Sequence, residues 1–91
     1  MTVQHEPARN RFSAQTDDGT AELAYEMRGD AIAFVHTFVP EAARGQDVGS
    51  ALAKAGLTHA RENGLTVIPA CPFIAAYVES HPEYQPLVAG E

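Results

Sequence analysis

The chain has 91 residues, enough for one small domain that folds alone and too few for a separate regulatory module. Six lysines and arginines stand against twelve aspartates and glutamates, a formal net charge of −6; this argues against a general nucleic-acid binder, whose affinity comes mostly from neutralised phosphates. No stretch approaches the roughly 20 continuous apolar residues of a membrane-spanning helix, and the single cysteine, Cys71, excludes an intramolecular disulfide and a cysteine-built zinc site.

Met1 to Asn10 is polar and lacks the apolar core of a signal peptide, so a cytoplasmic location is expected, with residues 1–8 as a flexible lead. Between Arg9 and Thr16, Phe12 and Ala14 sit on alternate positions, a weak strand signal. Asp17-Asp18-Gly19 has the composition of a turn. Ala21, Leu23, Tyr25 and Met27 then alternate with Glu22, Ala24, Glu26 and Arg28, the clearest period of two in the chain. That pattern predicts a strand with one buried and one wet face. Gly29-Asp30 supplies a tight hairpin turn. From Ala31 to Val39 the chain is apolar except at His36 and Thr37, which reads as a central strand buried on both faces and stopped by Pro40.

The segment that follows carries most of the chemistry. Arg44-Gly45-Gln46-Asp47-Val48-Gly49-Ser50 is a basic, glycine-containing loop running into an apolar helix. A helix start presents unpaired N–H groups and a partial positive charge, so it suits an anion, typically a phosphate. It is neither a Rossmann fingerprint, which needs a third glycine, nor a Walker A loop, which needs Lys-Ser/Thr after its last glycine.

The helix is predicted from about Asp47 to Asn63, with Gly64 as its left-handed cap. Val48, Ala51, Leu52, Ala55 and His59 are expected on its buried stripe. Leu65 to Ile68 reads as a short strand ended by Pro69, and Pro72 suits the first turn of a second helix, Pro72 to Ser80, stopped by His81-Pro82. The tail Tyr84 to Glu91 is expected to be irregular, with 85–91 flexible. Antiparallel strands, then strand–helix–strand, then a helix make an α+β fold, a mixed α/β layer in which the two strands around the crossover are parallel neighbours.

His36-Thr37-Phe38-Val39-Pro40, the loop from Arg44 to Leu52, Gly64-Leu65, Pro69-Ala70-Cys71-Pro72-Phe73, Tyr77 and His81-Pro82-Glu83-Tyr84 together resemble the GNAT N-acetyltransferase superfamily. More narrowly, they are similar to its smallest single-domain, YjdJ-type branch. The resemblance is densest in the C-terminal half and covers most of the chain. It implies one acetyltransferase domain over 1–91 with acetyl-CoA as cosubstrate, lying where two parallel strands splay apart. The pantetheine arm would pair with the backbone at Phe38 and Val39. The pyrophosphate would sit on Arg44, Gly45, Gln46, Asp47, Val48, Gly49 and Ser50. The family pattern Arg/Gln-x-x-Gly-x-Gly/Ala then maps onto Arg44, Asp47 in place of the first glycine, and Gly49.

Each of these residues also has a plainer reading. Asp47 is the departure from the pattern: a carboxylate about 5 Å from a phosphate charge costs about 3 kcal/mol at an effective dielectric near 20, roughly a hundredfold in affinity. The plainer expectation is that Asp47 caps the helix, competing with a pyrophosphate for the same N–H groups while backbone donors of Gln46, Val48 and Gly49 remain. Cys71, between a strand and a helix start, is a candidate nucleophile or acetyl contact, or a small buried residue. His36 is a candidate base or a hydrogen-bonded core residue. Tyr77 matches the position of the family tyrosine that protonates the departing thiolate, and equally suits an apolar stripe with Phe73 and Ala76. His59 and His81 read as structural.

The functional expectation is an N-acetyltransferase acting by direct transfer on a primary amine, either a small molecule or a lysine side chain. The alternative is a degenerate, non-catalytic CoA-binding or protein-interaction module on the same fold. A monomer or homodimer without nucleic-acid, membrane or metal partners is expected.

Overall fold

The computed structural model describes residues 2–88. Five strands form one sheet in sequence order: β1 Val3–Glu6, β2 Arg11–Thr16, β3 Gly19–Arg28, β4 Ala31–Phe38 and β5 Thr66–Ile68. Neighbours are antiparallel except β4 and β5, which run parallel. Helix α1, Val48–Glu62, is the crossover that a parallel connection requires, and helix α2, Pro72–Ser80, follows β5. The α+β class and the crossover are those the sequence predicts. No helix among the described residues is long and apolar enough to cross a membrane.

The core lies between the sheet and α1. Phe12, Leu23, Tyr25, Ile32 and Phe34 from the sheet meet Val48, Leu52, Ala53, Gly56, Leu57 and Ala60 from the helix. The helix is rotated from the expected stripe, since Ala51, Ala55 and His59 are only half-buried at its edge. The reason is Gly56, which adds nothing to a hydropathy pattern but sits at the closest approach. A Cβ there would lie 2.9 Å from Phe34 Cε1 and 3.0 Å from Leu23 Cδ2. A missing side chain, not an apolar one, lets α1 sink onto the sheet.

Both chain ends depart from expectation. Residues 3–6, taken as part of a flexible lead, form edge strand β1, where Val3 and His5 pair with Ala14 and Phe12. The other face of β1 is tied by polar contacts: Glu6 takes hydrogen bonds from Arg11 at 3.1 Å and from Ser13, and Arg11 also reaches Glu22 at 2.9 Å. The Ser13 and Arg11 hydrogen bonds hold the Glu6 carboxyl below the usual carboxylate range. At the other end, Pro82–Leu87 forms a 3₁₀ turn that buries Tyr84, with the Arg61 guanidinium 5.4 Å from its ring centre. Val88 then bridges Val67 in parallel. The expectations for Met1 and for residues 89–91 lie outside the described residues.

β4 is not buried on both faces throughout, because a bulge interrupts its pairing with β3. Tyr25 faces Phe34, but Ala24 faces His36, so Val35 is unopposed. Before the bulge Ile32 and Phe34 point at α1. After it Thr37, the partner of core residue Leu23, takes that side. His36 and Phe38 turn to the opposite, wetter face, where both are exposed.

Gly56→Ala tests the close approach. Overpacking a core costs typically about 1–3 kcal/mol, against a gain of about 1 kcal/mol in helix propensity. The urea midpoint is expected to fall at an unchanged slope, and a rise would contradict the packing described.

Candidate functional site

β4 outlasts its parallel neighbour. Pairing runs from Ala31 and Thr66 to Ala33 and Ile68, and the Cys71 N–H donating to the Phe34 carbonyl at 2.7 Å closes it. Beyond that bond no strand lies beside the outer edge of β4 among the described residues. The two parallel strands therefore part at Phe34, and the β4 backbone toward Val39 offers an open edge.

Pro40 then turns the chain into a 3₁₀ turn, Glu41–Ala43, anchored by buried Ala43. Gly45 follows at φ +87, a value natural only to glycine. Asp47 is the last residue before α1 and adopts φ +61, ψ 22. The left-handed region costs most non-glycine residues about 1–2 kcal/mol, although aspartate and asparagine tolerate it best. This conformation corrects the expectation of a capping aspartate. A capping residue needs an extended backbone to swing its side chain over the helix end, and Asp47 makes no such bond. The first intrahelical bond runs from the Ala51 N–H to the Asp47 carbonyl at 3.0 Å. Among the described residues no hydrogen bond engages the N–H groups of Val48, Gly49 or Ser50. The Gln46 N–H is already used, donating to Ala43 at 3.3 Å.

These three donors open into a cleft of about 380 Å³, within the range of roughly 300–1,000 Å³ typical of small-molecule sites. Thr37 of β4 and Val39 just after it form one wall, the loop and the first turn of α1 form the floor, and Phe73 of α2 faces them. Arg44 supplies the cleft's basic side chain and Asp47 its acidic one. Arg44 Nε donates to the Val39 carbonyl at 3.2 Å, tying the loop back to the strand end.

Of the residues expected to hold a cofactor, Val39, Arg44, Gly45, Asp47, Val48, Gly49 and Ser50 line this cleft. The side chains of Phe38 and Gln46 do not, Phe38 because the bulge turns it to the far face.

None of the three catalytic candidates lines the cleft. His36 is exposed on the sheet face away from α1, so it is not a core residue either. Cys71 is buried, with Sγ 3.2 Å from the Thr37 hydroxyl, its N–H on Phe34 and its carbonyl accepting from Ala75 at 3.0 Å. Tyr77 is half-buried one helical turn beyond Phe73, stacked on His81 at 3.9 Å. Burial, then the nearby Tyr84 and Glu83, push the Tyr77 phenol above its ordinary range, so it keeps its proton.

Sequence reasoning missed Thr37 and Phe73 as wall residues. Thr37 was legible only with knowledge of the bulge. Phe73 was signalled by Gly49, since a Cβ on Gly49 would lie 3.0 Å from Phe73 Cζ.

A strand that outruns its parallel partner and ends at a helix start with free N–H groups fits the acetyltransferase resemblance of the sequence, and the comparisons with known proteins agree. The sequence pattern of the GCN5-related N-acetyl-transferase family matches residues 11–87. The chain is 34% identical to the protein NATD1 of Danio rerio over 89 residues, 92% of this chain and 81% of that one. It is 35% identical to NATD1 of Homo sapiens over 85 residues, 90% and 75% of the two chains. The solution NMR structure of a GCN5-like candidate N-acetyltransferase from Staphylococcus aureus superposes with a TM-score of 0.77 at 32% identity, covering 99% of this chain and 89% of the other. The chain belongs to the GCN5-related N-acetyltransferase family.

Asp47→Gly is expected to leave the fold intact and raise its stability by up to about 1 kcal/mol, because glycine meets no penalty at φ +61. Asp47→Ala, with neither glycine's freedom nor aspartate's tolerance, is expected to lower it. Urea denaturation of the pair checks the backbone reading without any ligand.

Proposed function

We propose that the cleft binds acetyl-CoA as cosubstrate and that the chain transfers the acetyl group directly to a primary amine. The observation that carries this reading is the run of free N–H groups on Val48, Gly49 and Ser50, opening beside Arg44 at the end of an unpaired strand edge. An anionic pyrophosphate fits those donors and the helix dipole, and an extended amide-bearing arm fits the open edge of β4. When bound, acetyl-CoA supplies an activated thioester carbonyl.

The chain's own groups do the rest. Arg44 and the start of α1 hold the phosphates. The Val39 carbonyl accepts from Arg44, and the Val39 N–H is the donor that can polarise a carbonyl there. Thr37, Val39 and Phe73 line the reacting end. Tyr77 keeps its proton one helical turn beyond Phe73 and does not line the cleft, so the attacking amine gives up its proton, and the departing thiolate gains one, through solvent. The buried Cys71 thiol, behind Thr37, supports direct transfer over an acetyl-cysteine intermediate. The net charge of −6 favours a cationic acceptor, either a small polyamine-like molecule or a lysine side chain.

A second reading, a CoA-binding module without turnover, is favoured by one observation. Asp47 borders the cleft while His36, Cys71 and Tyr77 do not.

Thermal shift and amine-dependent CoA release, detected with DTNB, separate the readings. Acetyl-CoA is expected to stabilise the native chain. Asp47→Gly should tighten its binding by up to roughly a hundredfold, from relief of like-charge repulsion. Arg44→Ala should weaken it about tenfold or more, the loss of a charged hydrogen bond. No stabilisation of the native chain or of Asp47→Gly would remove the CoA reading. Stabilisation without CoA release across an amine panel would select the binding module. Turnover by Cys71→Ala at the native rate is expected, and its loss would restore the covalent route.

A further inference from the structure

The strand β1 meets α1 through Val3 and through an aromatic contact set centred on His5. His5 stacks on Phe12 at 4.3 Å and 10°, its Nε2 lies 2.6 Å from the Tyr25 hydroxyl, and the His59 ring of α1 meets it edge-on at 4.5 Å. Beneath this bridge is a second hollow of about 470 Å³, floored by Val3, Phe12, Ala51 and Ala55. As an edge strand, β1 pairs with β2 alone, so on its inner face it depends on Val3 and His5.

We propose that β1 is an acid-released strap: a proton on His5, facing His59, frees Val3–Glu6 from α1 and opens the hollow.

The groups around His5 define the balance. From α1 come His59, with Lys54 and Glu62 on the rim of the hollow. β3 contributes the Tyr25 hydroxyl and β2 the uncharged ring of Phe12. Lys54 and Glu62 have opposite signs and are both exposed, and among the described residues no ion pair reaches His5. A charge on His5 therefore gains no carboxylate partner and faces a second imidazole. Burial, and then His59, hold the His5 imidazole below its ordinary range. A group lowered on docking binds fewer protons docked than released. The strap is thus fully held above the free imidazole value of about 6.5 and loosens as pH falls through it toward the lower docked value. Glu6, on the opposite face of β1, titrates below the usual carboxylate range, in a separate and more acidic window.

Amide hydrogen exchange by NMR on the full chain, between pH 8 and pH 5, tests this. After correction for intrinsic exchange, the β1 amides are expected to lose protection on acidification, roughly tenfold for each unit by which docking lowers the His5 value. β3 and β4 amides should hold. His5→Phe keeps an aromatic ring on Phe12 and cannot take a proton, so its β1 protection should be flat with pH. His59→Gln should shrink the step even if His5→Phe folds poorly, and Glu6→Gln should leave the step in place. A flat profile in the native chain, an undiminished step in His59→Gln, or loss of the step in Glu6→Gln would overturn the proposal.

Discussion

One unopposed residue, Val35, sets the geometry on which the rest of the molecule depends. Up to Phe34, alternate residues of β4 face α1 and complete the core; past the bulge the parity changes and Thr37 and Val39 take that side. The same strand thus builds the core with one half and the cleft wall with the other. An unbroken strand would have turned His36 and Phe38 inward and placed Thr37 on the wet face. A bulge costs a local irregularity in the ladder and in return re-aims several side chains at once.

Two further constraints turn that strand into a site. β5 is only Thr66–Ile68, so β4 loses its parallel neighbour just where the bulge begins. Cys71 then clamps the start of α2 through its N–H on Phe34, its carbonyl to Ala75 and its thiol beside Thr37. This clamp brings Phe73 against Gly49 and closes the cleft opposite the helix start. The electrostatics of the loop are nearly balanced, with Arg44 against Asp47. Anion affinity in such a place rests on oriented backbone donors more than on net side-chain charge, because the donors are fixed in direction and need no reorganisation.

Much of the fold was legible because local signals agreed with the global arrangement. The alternation from Ala21 to Arg28 marked β3. Gly64, at φ +66, marked the end of α1, and Pro72 the start of α2. β1 was not legible, since a four-residue edge strand held by His5 stacking and the Glu6–Arg11 contacts carries no hydrophobic period. Nor was the C-terminal 3₁₀ turn, in which Tyr84 is buried by a helix distant in sequence. In the site, the loop could be read from Arg44 to Ser50, because helix starts announce themselves by composition.

By itself the sequence determined the strand and helix order, the parallel crossover, and a helix start following a strand. Those follow from periodicity, glycine and proline, which act within a few residues. Only the tertiary structure decided which side chains meet in the cleft. It placed Thr37 and Phe73 there, buried Cys71 behind the wall, and left His36 in solvent. It also gave Asp47 a left-handed backbone in place of a capping role. The physical reason is that a strand's facing depends on pairing with another strand, and a turn's dihedrals on how its ends are anchored. Neither quantity is stored in the residues that obey it.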